Sequence, residues 1–176
     1  MEIQAECKFD LPAVTALTRL QWAGRIDPRK VLAIHLCISI GVVLFSGYFM
    51  LTDPQPSGIT LFIAALALAP LDCVFYFLLP RGQFKALGKQ QNGENTYIFG
   101  ENSIKITSQS QGSTGSSEME YSVFVKICET SRYFFLFLNK GQAFIVDKTT
   151  VRGGTAREIR KRLTARANCK YVICRY

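Results

Sequence analysis

The sequence has a single histidine, His35, and no two cysteines in a CxxC spacing. Structural zinc sites need clusters of Cys and His ligands, so we expect no bound metal. His35 lies within an apolar run, which excludes a Ser-His-Asp site from any water-exposed part of the chain. Walker and Rossmann glycine patterns are also missing. The sequence therefore predicts neither an enzyme nor a cofactor.

Charge is missing from two long stretches. Residues 31–51 contain no Lys, Arg, Asp or Glu, and residues 59–79 contain only Asp72. A helix needs roughly 20 apolar residues to cross the hydrocarbon core of a bilayer. We predict two transmembrane helices over these stretches, joined as a hairpin over residues 31–79. Two buried core helices are the alternative, but such helices usually carry a polar stripe.

Basic residues flank the predicted hairpin, whereas its connecting loop, residues 52–58, contains no Lys or Arg. Basic flanks remain in the cytoplasm, so we predict that both termini are cytoplasmic. The first 30 residues contain no continuous apolar region of a signal peptide, and we expect the first span to be an uncleaved anchor. The flanking basic residues are Arg25, Arg29, Lys30, Arg81, Lys85 and Lys89.

The segments on either side of the hairpin are predicted separately. The N-terminal segment, residues 1–30, is expected to form a strand over residues 2–9 and a helix over residues 11–23. Asp10 would cap that helix. A polar tether over residues 80–94 would follow the second span.

From residue 95 onward, apolar residues recur at every second position, which indicates β-strands. The run over residues 133–138 is apolar on both faces and predicts a central strand. In the strand predicted over residues 118–128, alternate residues from Met119 to Ile127, including Tyr121, Val123 and Val125, would share one face. The other predicted strands cover residues 96–99, 103–109 and 142–148, and a Gly- and Ser-rich loop is predicted over 111–117.

A C-terminal helix is predicted over residues 155–167, because Thr155 and Glu158 have the spacing of a capping box. Antiparallel strands closed by one helix are typical of a pleckstrin-homology-like (PH-like) domain. We therefore predict a membrane α+β protein, with the two-helix hairpin joined to a cytoplasmic PH-like antiparallel β-domain over residues 95–176.

Three segments carry a resemblance to a known family: NTYIFGENSIKI, EMEYSVFVKICETSRYFFLFLNKGQAFIVDKTTV and AREIRKRL. With the hairpin before them, they resemble the YcxB-like family of small bacterial membrane proteins, over most of the chain from Val31 onward. The resemblance implies this architecture and a location in the bacterial inner membrane. It carries over no catalytic residues, because the family has no established activity.

Two polar residues in the predicted hairpin form the first candidate site. Asp72 would lie ~10 Å and His35 ~6 Å below the same membrane surface, at 1.5 Å per helical residue. An unpaired carboxylate there would cost roughly 2.5–3.5 kcal/mol, so we predict a hydrogen bond between them. The pair could stabilise the hairpin, or it could relay protons or ions. Ala65 and Ala69 offer a close-packing surface for a homo-oligomer.

The second candidate site is the basic C-terminal helix. Residues 152–176 contain eight basic residues and one acidic residue, a net charge of 8 − 1 = +7. This charge could bind anionic lipid headgroups or form a solvated face. Nucleic acid is not expected as a partner, since no nucleic-acid motif is found. Glu118, Glu120 and Glu129 show no convergent partner. The candidate lipid-facing residues are Arg157, Arg160, Lys161, Arg162 and Arg166.

These observations predict a non-enzymatic scaffold or sensor module at the inner membrane face. It would bind a protein partner along an exposed sheet edge, anionic lipid through the basic helix, or both. The alternative is a small oligomeric transport or proton-linked subunit that uses His35 and Asp72.

Overall fold

A computed structural model describes residues 2–24, 26–52, 56–110 and 112–174. These residues form an α+β fold with two four-stranded sheets, in the strand orders β1-β2-β3-β4 and β7-β6-β5-β8. The strands are β1 (Ile3–Lys8), β2 (Glu94–Phe99), β3 (Ser103–Ser110), β4 (Ser113–Glu120), β5 (Lys126–Glu129), β6 (Tyr133–Phe137), β7 (Ala143–Asp147) and β8 (Lys170–Ile173). The helices are α1 (Leu11–Ala23), α2 (Pro28–Thr52), α3 (Pro56–Cys73), α4 (Leu79–Ala86) and α5 (Ala156–Arg166).

The N-terminal strand joins the sheet that follows the helices. β1 pairs with β2 in antiparallel register, from Ile3 opposite Phe99 to Lys8 opposite Glu94. Alternate β1 residues, Ile3, Ala5 and Cys7, are buried in the core, which is the period of a half-buried strand. The predicted N-terminal segment and the predicted β-domain therefore share one sheet.

Helix α1 has the boundaries that the sequence predicts. The Asp10 carboxylate accepts a hydrogen bond from the Ala13 backbone N–H at 2.9 Å and caps the first turn. Gly24, at φ 63°, ends the helix, and its N–H donates to the Leu20 carbonyl. α1 buries Ala13 and Leu20 in the core of the sheets.

Helices α2 and α3 pack against each other. α3 continues through a π-helical segment, Val74–Leu78, into α4, so part of the predicted tether is helical. Within the π-helical segment Tyr76 is buried, while Phe75, Phe77 and Leu78 are exposed. Within the described part of the chain, α2 alone is long and apolar enough to cross a membrane by length and composition.

One loop prediction and one strand prediction in the middle of the chain are wrong. Residues 113–117 are not loop but belong to β4, which pairs with β3 along its whole length. Residues 118–128 are not one strand, because a 3₁₀ turn, Tyr121–Val123, separates β4 from β5. The alternation changes phase where the chain passes between the sheets, so that Phe124 is 1% exposed and Val125 is 57% exposed.

The second sheet contains the predicted central strand. All five residues of β6 are buried, between β5 and β7. β8 pairs with β5 in parallel, so this sheet is mixed rather than wholly antiparallel. α5 has the predicted capping box between Thr155 and Glu158, and it buries Ile159 and Leu163. The finer assignment to a PH-like domain stays a prediction.

Candidate functional site

Of the predicted His35–Asp72 pair, the structure describes the side chain of His35 alone. His35 is half-buried on α2, and its ring lies edge-on to Trp22 of α1, with 5.6 Å between the ring centroids. Asp72 lies on α3, but its side chain, like those of Ala65 and Ala69, lies outside the described part of the structure. The hydrogen bond, the homo-oligomer surface and the alternative transport function stay predictions.

The predicted basic face of α5 divides into two groups. Arg160 donates from Nε and Nη2 to the Glu129 carboxylate, at 2.7 and 2.5 Å. Arg162 donates from Nη1 to the carbonyls of Phe99 and Gly100 at the end of β2. These two arginines therefore bind other parts of the protein. The exposed remainder of the group consists of Arg157, Lys161 and Arg166.

Glu129 does have convergent partners, contrary to the sequence-based expectation. It is 1% exposed, and besides Arg160 it binds Lys148 Nζ at 2.5 Å and the Tyr171 hydroxyl at 2.5 Å. Burial raises the pKa of this carboxyl, but hydrogen bonds from Arg160, Lys148 and Tyr171 outweigh burial and hold the pKa below its ordinary value. The network ties β5 to β8 and α5. Its members are too far apart in sequence for any spacing to reveal it.

Helix α1 connects the α2–α3 helix pair to the sheets. Trp22 contacts Tyr76 at 5.9 Å between ring centroids, in addition to its contact with His35. The Arg19 guanidinium stacks over the Tyr76 ring, 4.1 Å from its centroid. The Thr18 hydroxyl donates to the Gln83 amide oxygen of α4. One short helix thus contacts α2, the π-helical segment and α4.

A cavity of about 340 Å³ lies between α1, the first turn of α2, Tyr76 and the turn that joins β5 to β6. Arg19 lines this cavity, and its Nε is buried within the protein without a hydrogen-bond partner in the described structure. The Arg132 guanidinium binds Asp147, with Nη2 2.8 Å from Oδ2. Asp27 accepts a hydrogen bond from the Arg29 backbone N–H. The charged residues that line the cavity are Arg19, Asp27, Arg29 and Arg132.

The sequence did not predict the contacts of Arg19 and Trp22 with Tyr76 and His35, which we call the junction. The candidate sites predicted from the sequence include neither Trp22 nor Arg19 nor Tyr76. The available signal was the only tryptophan of the chain, three residues after an arginine and just before the first apolar run. Trp is enriched at membrane interfaces. In the described ranges, no group of three or more His, Cys, Asp or Glu could hold a metal ion.

A family model described as YcxB-like protein matches residues 99–161, from the end of β2 into α5. This match confirms the resemblance to the family over residues 99–161. The range includes Glu129, Lys148 and Arg160, and it includes Arg132 of the cavity. α2 and α3 lie outside it. No curated protein and no solved structure matches the chain.

Proposed function

We propose that this protein is a non-enzymatic scaffold module anchored in a membrane by α2 and α3, with its sheets on the cytoplasmic side. The observation that carries the proposal is the exposed apolar surface of the two helices. Of the most apolar 18 residues of α2, 11% are buried. Large apolar side chains such as Ile40, Leu44 and Ile63 are more than half exposed. An apolar surface of this extent is expected against lipid rather than water.

The junction supports a fixed orientation of the sheets relative to the membrane. α4 continues the helix of α3, and Trp22 lies against both His35 and Tyr76. β1 ends just before α1, β2 begins shortly after α4, and the two strands pair with each other. A helical connection with these contacts restrains the domain far more than a flexible polar linker does. A rigid connection of this kind suits a protein that presents a binding surface at a defined distance from the bilayer.

The surface that we assign to a protein partner is the free edge of β4. β4 pairs with β3 on one side, and the described residues place no strand along its other side. All of its residues except Met119 are exposed, and it contains no proline. An extended peptide can add to such an edge through main-chain hydrogen bonds. The proposed partner therefore contributes a β-strand.

Contact of α5 with anionic lipid is a second part of the proposal. It now depends on Arg157, Lys161 and Arg166, because Arg160 and Arg162 bind within the protein. Replacing all three exposed residues by Gln should lower the capture of anionic vesicles by the full chain held in neutral-lipid nanodiscs at low salt, since each basic residue near the surface contributes about 1 kcal/mol. Unchanged capture would remove α5 from the proposal.

The anchor is tested with two matched arginine substitutions. Ile40, near the middle of α2, and Val125, in the sheet region, are each 57% exposed. Ile40→Arg should reduce the fraction of protein that resists alkaline carbonate extraction, because Arg at a helix centre costs about 2.5–3.5 kcal/mol of insertion free energy. Val125→Arg should leave it unchanged. Complete extraction of the unsubstituted chain by carbonate would refute the membrane anchor.

The partner surface is tested by placing a photocrosslinking amino acid at Ser116 of β4 or at Lys105 of β3. Both positions are exposed and lie on neighbouring strands, but only Ser116 is on the sheet edge. We expect one crosslinked protein from Ser116 and none from Lys105. The same product from both positions, or none from Ser116, would contradict strand addition at β4.

A further inference from the structure

We propose that the cavity between α1 and the β5–β6 turn binds a phosphate group, carried by an anionic lipid at the membrane surface or by a soluble phosphate ester. The inference deepens the proposed function and rests on its placement of α2 and α3 in the membrane. The proposed ligand of the module at the membrane surface is a phosphate group.

The charges around the cavity favour an anion. Three guanidinium groups and one carboxylate line it, and because Asp147 neutralises Arg132, 2 − 1 = 1 positive charge remains. The carboxylate, Asp27, already accepts the backbone N–H of Arg29. Arg132 is paired with Asp147, so Arg19 and Arg29 supply most of the attraction. Guanidinium groups remain charged at any physiological pH and present a planar set of donors that matches phosphate oxygens.

Arg19 presents a guanidinium group at the cavity. Its Nε is buried within the protein, so a hydrogen bond to a phosphate in the cavity would come from the terminal nitrogens of the guanidinium. Stacking on Tyr76 at 4.1 Å fixes the plane of the guanidinium, so the side chain is ordered before any ligand arrives. A phosphate in the cavity could accept hydrogen bonds from this guanidinium.

The position of the cavity suggests where the phosphate comes from. Pro28 begins α2 and lines the cavity, and Tyr76 lies near the end of the second apolar run. In the proposed membrane placement, both residues are at the level of the cytoplasmic lipid headgroups. Lipid phosphates are concentrated at that level. Two pockets beside α5 are lined by fewer basic residues than this cavity. Glu158 lines one of them with Lys161 and Arg162, and Glu120 lines the other with Arg166. Arg162 is also already bound to backbone carbonyls.

The chain provides its own probe for the test. Trp22 is the only tryptophan, and it lies 5.9 Å from the Tyr76 ring. Binding beside Tyr76 should therefore change its fluorescence. We would titrate the full chain, in a maltoside detergent that contains no phosphate, with dioctanoyl phosphatidic acid, glycerol 3-phosphate, inorganic phosphate and dioctanoylglycerol.

A saturable response to phosphatidic acid that exceeds the response to both soluble phosphates supports the proposal with a lipid as the source. Equal responses to glycerol 3-phosphate and phosphatidic acid support it with a soluble ester as the source. A response to dioctanoylglycerol equal to that of phosphatidic acid overturns the proposal, because the acyl chains alone would then explain binding. No saturable response to any of the three phosphates also overturns it.

Charge-removing substitutions test the site itself. Arg19→Gln should weaken phosphatidic acid binding at least about tenfold, the effect of losing one charged hydrogen bond. Arg29→Gln tests the same site without disturbing the Tyr76 stack, and it should also weaken binding. Arg81→Gln is the matched control, since Arg81 is exposed on α4 and does not line the cavity. An equal loss in Arg81→Gln, or none in both cavity variants, overturns the proposal.

The same variants separate this inference from the anchor. Carbonate extraction reports membrane integration, and Trp22 emission reports the cavity. Variants that stay in the membrane but keep full phosphatidic acid affinity refute the cavity alone. Extraction of the unsubstituted chain refutes the placement on which the lipid source depends.

Discussion

Replacing Glu129 by Gln is the sharpest test of how the sheets and α5 are held together. The substitution keeps the shape of the side chain and removes its charge. Glu129 is 1% exposed and accepts hydrogen bonds from Arg160, Lys148 and Tyr171. A glutamine side chain at this position could satisfy at most some of these donors, because its amide nitrogen cannot accept a hydrogen bond.

The size of the effect follows from the exposure of the partners. Removing one partner of a buried ion pair costs about 3–5 kcal/mol. The Arg160 side chain is 45% exposed and can be hydrated in the variant, whereas that of Lys148 is 14% exposed. We therefore expect a loss of about 3 kcal/mol in the free energy of unfolding, at the lower end of that range. For a chain of this size, that lowers Tm by about 6–12 °C.

The assay is thermal unfolding of the full chain in detergent, followed by near-UV circular dichroism of the aromatic core. Glu101→Gln is the control, since Glu101 is exposed in the turn between β2 and β3. Surface substitutions of this kind change stability by about 0.5 kcal/mol or less. A Glu129→Gln variant that melts with the control would refute the account of the network.

The same pair of proteins gives a pH test. The pKa of Glu129 in the folded protein lies below its ordinary value. The charged carboxylate therefore contributes its full stability above the unfolded pKa of about 4.3, and this contribution is lost as the pH falls from there through the folded pKa. The stability difference between the unsubstituted chain and Glu129→Gln should shrink below about pH 4.3. A difference that stays constant would show that charge is not its source.

Three further predictions concern the N-terminal strand and α5. Gly154→Ala should cost about 1–3 kcal/mol, because an added Cβ would lie 2.7–2.9 Å from side-chain atoms of β1 and of the capping box. Gly115→Ala, which meets nothing within 4 Å, is the thermal-melt control. Thr155→Ala should cost about 1 kcal/mol by removing the N-cap, whereas Thr164→Ala inside α5 should cost almost nothing in the same melt. Deleting residues 2–9 should expose β2 and raise the protease sensitivity of the sheets, and an unchanged digestion pattern would show that β1 is dispensable.

The sequence predicted those elements whose stabilising contacts are local or periodic. β1, β6, α1 and α5 have apolar residues at the spacing of their own secondary structure, with caps at the helix starts. β4 escaped prediction because an edge strand of small polar residues is stabilised by its backbone bonds to β3 rather than by burial. The long strand over residues 118–128 failed because alternation alone does not reveal where a chain leaves one sheet for another.

The candidate sites were harder to predict than the fold. Arg160 and Arg162 look like any other members of a basic helix, and only the tertiary structure separates them from Lys161. Glu129 and its partners come from four distant parts of the chain. Arg19 and Tyr76 belong to different predicted regions, and their contact depends on how α1 lies against the π-helical segment. No spacing in the sequence carries that information.

The pairing of β1 with β2 sets an order for biosynthesis. β1 ends at residue 8 and its partner begins at residue 94, with both apolar helices between them. The first strand leaves the ribosome without a partner and remains unpaired until α2, α3 and α4 have been made. Loop closure over this distance is slow and entropically costly unless the ends are brought together. If α2 and α3 span a membrane as proposed, their packing against each other returns the chain to its starting side and brings the two strands together. Membrane insertion would then precede the pairing of β1 with β2 and favour it.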